Sequence, residues 1–535
     1  MSRFYITTAI DYANGDPHLG HAFEKIGADA IARYHRLRGD DVWFLIGMDE
    51  HGQKVAQTAA ERGLAPQELT DRVAESFQAM WHRLGISNDQ FIRTTDPGHK
   101  EGVRELIEMI FLRTEAEDPP ERRDFYEKSY AGWYCVGCES FKQDAEIVDG
   151  KCVLHPTRVL EWVEEKNWFF RLSRYADFLR ERLTSDPEAA RRSWEGERPL
   201  VLVRPESRYN EIRALLDQGL EDISASRARF AWGVPFPRPT SDGETQTTYV
   251  WFDALPNYWT ATRLPGAHGA WPAELHVIGK DITRFHCVIW PAMLQAARLA
   301  LPRQVFAHGF VNLGGERFSK SAGVKLDLGE AVDRYGPDAF RYFLLREVPF
   351  DADGNFSWER FEERYTADLA NAFGNLASRT IAMIERYCGG IVPAFDADAA
   401  AEAAGVLQSH QEAYVRAMDG QLLHEALAAA FRIVSAANGY VDQKAPWKLA
   451  KDPAQRAELE RTLAVLAHVL ARLAVLLSPF MPSKAEALWM QLGAPSPLDR
   501  TTALRADVEV ADRLDPSGWR VVKGEGLFPR DKVGG

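Results

Sequence analysis

The first part of the chain changes from a strand-like to a helix-like pattern of apolar residues. Residues 3–9 are β-branched and aromatic, which predicts a buried strand. Asn14-Gly15, followed by Pro17, predicts a turn. A helix ending near Gly39 should follow, because the next apolar residues lie three or four positions apart. The residues of this apolar face are Phe23, Ile26, Ala30, Tyr34 and Leu37.

A second apolar run of strand length, residues 41–47, ends in a polar cluster that contains Asp49, Glu50 and His51. Ligands bind at the carboxyl ends of strands in an open parallel sheet, so Asp49 is a candidate ligand-binding residue. The alternative is that Asp49 and Glu50 only cap the next helix.

The second half of the sheet is expected to start near residues 249–258, which form an unusually aromatic run. Residues 276–279 predict a further strand with a polar tip, Lys280-Asp281. Four aromatic residues, Trp251, Tyr258, Phe285 and Trp290, are candidates for the wall of an apolar pocket. Aromatic residues at such spacing are also typical of a plain core.

From about residue 353 to residue 514 the pattern is almost wholly helical. One long apolar face ends at Ser478-Pro479 and predicts a helix in a bundle. Its members are Leu463, Leu466, Leu470, Leu473 and Leu477. The fold class is therefore α/β with a helical bundle at the carboxyl end.

Length and composition fit a folded chain of about three or four domains, since 46% of the 535 residues are hydrophobic. No run of eighteen apolar residues occurs, and Met1-Ser2-Arg3 leads directly into a strand, so we expect a cytoplasmic protein. The formal charge is −13 and the pI is near 5.6. Any RNA binding therefore needs a local basic face.

Three of the five cysteines lie in one segment, as Cys135-x2-Cys138 and Cys152-x2-His155. In a cytosolic chain such clustering favours a metal over a disulfide. Three thiolates and one imidazole complete a tetrahedral zinc site, so we predict structural zinc; the alternative is a set of coincidental thiols. Cys287 and Cys388 are isolated and are expected to be buried core thiols.

Two motifs carry candidate chemistry. Pro17-His18-Leu19-Gly20-His21 puts two imidazoles at the start of the first helix, where a nucleotide would lie, although two such histidines are also compatible with a surface pair. Residues 313–323 form a glycine-flanked loop that contains Ser319-Lys320-Ser321.

The first motif resembles the HIGH signature of the class I aminoacyl-tRNA synthetases, and residues 7–27 resemble the methionyl member of that family. The second resembles the KMSKS loop, with Arg317 for the first lysine and Phe318 for methionine. The resemblance implies that His18, His21 and Lys320 stabilise the triphosphate in the transition state.

The resemblance covers nearly all of the chain and implies its domains. A Rossmann-type parallel-sheet catalytic domain is split by a zinc-binding connective insertion and followed by an α-helical anticodon-binding bundle. The expected parts are the first catalytic half at 1–113, the insertion with one zinc knuckle at 114–236, the second catalytic half at 237–305, the KMSKS and stem-contact region at 306–355, the bundle at 356–515 and a tail at 516–535.

The resemblance also implies three groups of binding residues. The methionine group is Ile10, Tyr12, Asp49 (for the amino group), Trp251, Ala254, Leu255, Tyr258, Phe285, His286 and Trp290, where Ile10 and Leu255 replace the leucine and proline of other members. The ATP group is His18, Gly20, His21, Gly279, Asp281, Ser319 and Lys320. The anticodon group is Asn375, Arg379, Pro446 and Trp447.

The implied activity is ligation of methionine to tRNA(Met) through methionyl-adenylate, with ATP, Mg²⁺, one structural zinc and a monomeric chain. For Trp447 a plain hydrophobic plug at a helix end is the alternative to base stacking. A cysteinyl synthetase is a rival within the fold, but that family has a zinc-bound cysteine in its amino-acid pocket. A catalytically silent tRNA- or nucleotide-binding module is a rival of another class.

Overall fold

The computed structural model describes residues 3–136, 140–142, 146–228, 231–265, 267, 269–313, 316–317, 327–498 and 514–529. The centre of the fold is an eight-stranded sheet whose described strand pairs are all parallel. Its strands are Arg3–Thr8 (β1), Asp11–Tyr12 (β2), Asp41–Asp49 (β3), Gln90–Arg93 (β4), Leu183–Thr184 (β5), Val201–Arg204 (β6), Leu275–Gly279 (β7) and Gln304–His308 (β8). Across the sheet the order is β5-β6-β8-β7-β1-β3, and β3 also pairs with β2 and β4.

The opening strand, turn and helix are confirmed. β1 is buried from Tyr5 to Thr8, as expected of a central strand, and its neighbours are β3 and β7. The helix α1 spans Leu19–Leu37 and is followed by Gly39 at φ +86°, a backbone conformation that glycine adopts without strain.

The expectation that the sheet resumes near Tyr249 is wrong. This run forms two short helices, Val250–Ala254 and Asn257–Thr260, separated by Pro256, and the next strand of the main sheet is β7. Aromatic residues favour strands only through the packing that they find there. Here Phe252 and Tyr258 lie on short helices, and both side chains are nevertheless buried in the core.

The insertion is built on an antiparallel hairpin, Phe125–Cys135 with Glu161–Phe170. Its smaller strands are Ser140–Lys142, Ile147–Val148, Lys151–Cys152, His155–Val159 and Ile223–Ser224. β5 and β6 also lie within residues 114–236, yet they belong to the main sheet. The part that leaves the sheet is therefore shorter than the predicted insertion.

The other elements of this part of the chain surround the sheet. The helices are Gln53–Glu61 (α2), Pro66–Arg83 (α3), Pro97–Glu117 (α4), Ala176–Arg182, Pro187–Ser193, Glu206–Gln218, the π-helix Phe285–Ile289 and Trp290–Ala296. Two small sheets complete this half, with strands Ser226–Arg227 and Thr247–Thr248, and Val311–Leu313, Glu316–Arg317 and Gly354–Phe356.

The carboxyl-terminal part is a helical bundle, as predicted. Its helices are Trp358–Arg364, the π-helix Tyr365–Gly374, Asn375–Cys388, Ala397–Asp419, Leu423–Lys444, Pro446–Leu449, Arg456–Leu477 and Pro482–Gln491. Two further helices, Leu328–Tyr335 and Pro337–Glu347, lie before it, within residues 306–355. The predicted leucine face lies on Arg456–Leu477, and all five of its leucines are buried. Among the helices that the structure describes, none has the length and apolar character needed to cross a membrane.

Candidate active site

A cavity of about 410 Å³ opens at the carboxyl edge of the main sheet, where β1, β3, β7 and β8 end. Ligands in open α/β sheets bind at this edge, and the volume lies within the range of small-molecule sites. The residues of the predicted methionine and ATP groups that line it are Ile10, Tyr12, His18, Gly20, His21, Asp49, Trp251, Ala254, Leu255, Tyr258, Gly279, Asp281 and His286. Most of the two predicted groups therefore meet in one cavity.

His18 and His21 are held by the start of α1. Nδ1 of His18 accepts hydrogen bonds from the backbone N–H groups of Gly20 (3.1 Å) and His21 (3.4 Å), so the ring caps the helix. Nδ1 of His21 accepts from the backbone N–H of His18 at 3.3 Å, and the two rings stack 3.6 Å apart. Because each Nδ1 is an acceptor, the ring proton of an imidazole in its neutral form belongs on Nε2 in this arrangement.

At the apolar end of the cavity Tyr258 and His286 form a buried pair. Nδ1 of His286 lies 3.1 Å from the carbonyl of Ile282, and Nε2 lies 2.7 Å from the hydroxyl of Tyr258. The carbonyl is only an acceptor, so Nδ1 carries the proton and the tyrosine donates to Nε2. Burial lowers the pKa of His286 to about 4.

The remaining aromatic candidates stand behind this wall. The rings of Trp251 and Phe285 stack 3.6 Å apart, which places Phe285 against a lining residue rather than on the cavity surface. Trp290 is fully buried, with its ring centre 6.2 Å from that of Tyr258. These two residues support the cavity wall without lining it.

Asp49 lies where β2 meets β3. Tyr12 and Asp49 are paired in the parallel register, and the carbonyl of Asp49 accepts a hydrogen bond from the backbone of Ala13 at 2.8 Å. The carboxyl group is nearly buried, at the cavity surface. The Lys54 ammonium lies over the Tyr12 ring, 5.6 Å from its centre.

The sequence interpretation missed a charged cluster at the cavity surface. Glu24 and His308 line the cavity and lie 3.1 Å apart, and Lys25 contacts both Glu24 (2.8 Å) and Asp11 (2.7 Å). Burial opposes the charge of Glu24, but Lys25 and His308 together lower its pKa. Burial raises the pKa of Asp11 to about 7 even with Lys25 beside it. His308 ends β8, so the rule that identified Asp49 would also have found it.

Comparison with known proteins identifies the family. Residues 4–158 and 145–381 match the model described as "tRNA synthetases class I (M)", and residues 402–511 match "Anticodon-binding domain of tRNA ligase". The methionine–tRNA ligase of Rhizobium meliloti is 44% identical over 549 residues, which cover 99% of this chain and 98% of that protein. That of Streptomyces coelicolor is 40% identical over 549 residues, covering 98% and 96%. The chain belongs to the methionyl-tRNA synthetase family.

A solved member has the same architecture. Mycobacterium tuberculosis methionyl-tRNA synthetase in complex with methionyl-adenylate matches with a TM-score of 0.87 and 39% identity, over 99% of this chain and 100% of that one. As a methionyl-tRNA synthetase, the chain is an aminoacyl-tRNA ligase that uses ATP. The predicted fold class is confirmed, and the methionyl match excludes the cysteinyl alternative.

The KMSKS-like loop of this methionyl-tRNA synthetase falls largely outside the described residues. Ser319 and Lys320 are among those not described, and of Arg317 only the backbone, in the strand Glu316–Arg317, is described.

The cysteine knuckle is described in part. Cys135 ends the long hairpin strand and Cys152 lies on the strand Lys151–Cys152; both are buried and pack in one small cluster with Leu160. Cys138 and the side chain of His155 lie outside the described residues, and within the described part of the chain no three candidate ligands come together. Of the two isolated thiols, Cys287 is buried as expected, but Cys388 is only half-buried because it lies at the end of a helix beside Gly389.

Two of the four predicted anticodon residues, Arg379 and Trp447, lie close together on the bundle surface, whereas Pro446 is buried. Trp447 is 37% exposed on the short helix that Pro446 begins, so part of this residue is open to solvent. The Arg379 guanidinium lies 5.6 Å from the centre of that ring and 3.7 Å from the Asp442 carboxylate. Asn375 is half-buried at the start of the helix that carries Arg379.

Proposed function

We propose that methionine and ATP bind together in the described cavity and react there to methionyl-adenylate, which then passes methionyl to the 3′ end of tRNA(Met). The observation that carries this proposal is the cavity itself, because residues of the predicted methionine and ATP groups line it side by side. Adenylate formation needs the carboxylate of methionine close to the α-phosphate of ATP. One shared cavity provides that proximity.

Asp49 is the proposed partner of the methionine ammonium group, since it is a nearly buried carboxyl group at the cavity surface. The thioether is proposed to lie against Trp251 and Tyr258, because sulfur packs favourably at aromatic rings. Ile10, Ala254 and Leu255 supply the apolar remainder of this end, and His286 fixes the hydroxyl of Tyr258.

His18 and His21 are the proposed phosphate ligands from the described chain. Their Nε2 protons and the positive end of α1 both favour the charge that develops on the triphosphate. Gly20 lets the phosphates approach the backbone, and Asp281 is the proposed ribose acceptor next to Gly279. Lys320 is proposed to add a further cation, and Mg²⁺ to enter with ATP.

A structural zinc ion is proposed for the knuckle. Two buried thiols that pack in one small cluster, in a chain whose thiols we expect to stay reduced, suit a soft metal ion. Cys135, Cys138, Cys152 and His155 would hold the ion, and four protein ligands would leave no open position for catalysis. Its contribution would be to fold the end of the hairpin.

The bundle surface around Trp447 is proposed to bind the anticodon of tRNA(Met). Single-stranded bases are recognised by stacking on aromatic rings and by hydrogen bonds to their edges. The partly exposed Trp447, next to Pro446, offers a ring for base stacking. Arg379 and Asn375 offer hydrogen bonds to base edges. A monomeric, cytoplasmic enzyme remains our expectation for the whole molecule.

ATP–pyrophosphate exchange with each of the twenty amino acids tests the proposed reaction. Only methionine should support exchange well. Lys320→Ala should lower kcat by about 10²-fold or more with little change in KM for methionine, because a cation acting on the transition state is not felt by the free amino acid. Lys325→Ala is a matched control outside the motif and should stay near wild type. Exchange with another amino acid, or a Lys320→Ala defect confined to the methionine KM, would contradict the assignment.

A further inference from the structure

A buried cluster of one carboxylate and two histidines lies directly behind the cavity wall. Asp253 Oδ2 is 2.5 Å from Nδ1 of His51, and Asp253 Oδ1 is 3.1 Å from Nε2 of His99. All three side chains are at most 2% exposed. None of them lines the cavity, so the cluster does not touch the substrates directly.

The cluster joins three separate parts of the chain. His51 follows β3, two positions after Asp49, and His99 lies in the first turn of α4. Asp253 lies on the helix Val250–Ala254, between the cavity residues Trp251 and Ala254. The carboxylate therefore connects the segment just after β3, whose last residue is the proposed ammonium ligand Asp49, to the helix of the aromatic wall.

His99 extends this connection to the next helix. Its Nδ1 lies 2.8 Å from the hydroxyl of Thr260, and its Nε2 also lies 3.0 Å from the carbonyl of Asp253. Thr260 ends the helix that carries Tyr258 and Asn257, both of which line the cavity. One imidazole thus bonds to both short helices of the apolar wall.

Glu50, between Asp49 and His51, is fixed to different elements. The Glu50 carboxylate accepts from Arg93 at 2.6 Å and from the hydroxyl of Thr95, and the Glu50 carbonyl accepts from the indole of Trp232 at 2.6 Å. These contacts hold this segment to β4 and to the insertion, not to the aromatic helices. Among the residues that the structure describes, His51 and Asp253 link this segment to the aromatic wall.

Asp253 depends on both histidines. Burial opposes its charge, but His51 and His99 together lower its pKa to about 2. In the described chain its carboxylate oxygens have these two imidazoles as hydrogen-bond partners, so removing either leaves a buried carboxylate short of a donor. The hydrogen bonds of this buried carboxylate therefore oppose small movements of the helix Val250–Ala254 relative to His51 and His99.

We propose that Asp253, held by His51 and His99, is a positioning residue that sets the separation between Asp49 and the aromatic wall, and thereby the affinity for methionine. This inference rests on the proposed roles of Asp49, Trp251 and Tyr258. The proposed phosphate ligands are other residues: His18 and His21 lie at the start of α1, and Lys320 belongs to the KMSKS-like loop. Loss of the cluster should therefore weaken methionine binding and spare ATP binding.

Asp253→Asn, assayed by ATP–pyrophosphate exchange on the full chain, tests the proposal. It keeps the size of the side chain but removes one acceptor and the charge, so we expect the methionine KM to rise about tenfold or more while the ATP KM stays within about twofold. Asp338→Asn is the matched control, since Asp338 is equally buried but bonds to the backbone of Lys484 in the bundle. It should lower the melting temperature without changing the methionine KM.

A second pair of variants keeps the test decisive if Asp253→Asn does not fold. His99→Gln retains a donor for Asp253 and should stay within about threefold of wild type, whereas His99→Leu should raise the methionine KM as Asp253→Asn does. Equal effects of His99→Gln and His99→Leu, or parallel rises in both KM values, would show a merely structural brace and overturn the proposal. Failure of the wild type to activate methionine would instead refute the proposed function.

Discussion

His286 holds its place in the cavity wall as a neutral imidazole, and burial keeps it neutral. Its two ring nitrogens are committed to Ile282 and Tyr258, and burial lowers its pKa to about 4. A protonated ring would have to donate from Nε2, where the tyrosine now donates to it. The wall therefore retains its hydrogen-bond pattern only while this imidazole is neutral.

This gives a pH prediction for stability. An unfolded histidine titrates near pH 6.5 and His286 in the folded chain near 4, so the unfolded state binds more protons between these values and stability falls as the pH is lowered. Between pH 7 and pH 5 the loss from this residue should be about 2 kcal/mol. His286→Asn should remove that part of the pH dependence, measured by denaturant unfolding at both pH values.

The His286 ring resonances give an independent check. They should stay unshifted from pH 8 to pH 5.5, because the folded-state pKa lies below that window. A midpoint near 6.5, or an unchanged pH dependence of unfolding in His286→Asn, would contradict the prediction. His276, whose pKa burial also lowers, should account for part of the dependence that remains in the variant.

Elements were predictable from the sequence where the pattern was long. β1, β3, α1 and the helix Arg456–Leu477 each repeat their period over enough residues to be recognised. β5 and β6 have two and four residues, too few to show a period. They join the main sheet through tertiary pairing, which local pattern does not contain.

The residues of the candidate site could be predicted from the sequence where they lie at the ends of strands. Asp49 and Asp281 were found as polar tips after apolar runs, whereas Glu24 lies inside a helix and carries no such signal. Phe285 and Trp290 have the same composition as the lining residues but lie one layer deeper. A sequence pattern identifies the aromatic layer without saying which ring faces the ligand.

The knuckle at the end of the hairpin allows a prediction about metal. Cys135→Ala should lose the zinc ion, because a site short of one thiolate binds the metal far more weakly. Metal analysis of the purified protein should find about one zinc per wild-type chain and clearly less in the variant. Cys388→Ala, at the half-buried isolated thiol, is the control and should retain the ion. Stoichiometric zinc in Cys135→Ala would reject the site.

Across the molecule, the catalytic domain and the bundle share one continuous apolar core. Residues of α1, of β1 and of the bundle helices belong to the same buried cluster. Arg341 lies within it and bonds to the Asp29 carboxylate of α1 at 2.6 Å and to the Phe480 and Pro479 carbonyls of the bundle. Contacts of this kind fix the direction of the bundle relative to the cavity.

The exposed Trp447 gives a prediction that separates the two ends of the molecule. If its ring stacks on an anticodon base, Trp447→Ala removes an interaction worth about 1–3 kcal/mol. Charging of tRNA with a CAU anticodon should then fall sharply, while pyrophosphate exchange without tRNA stays near wild type because the cavity is in the other domain. Melting temperature should fall less than for a fully buried ring, because Trp447 is 37% exposed.

Trp489→Ala supplies the contrast, since Trp489 is 1% exposed in the same bundle. Truncation of such a buried ring costs about 3–5 kcal/mol of stability, so both reactions should decline together as the chain unfolds. We would measure pyrophosphate exchange, tRNA charging and thermal unfolding on both variants. Together these measurements distinguish a residue that binds RNA from one that only stabilises the fold. If Trp447→Ala lost stability and both reactions in parallel, as Trp489→Ala should, the anticodon role of Trp447 would have to be abandoned.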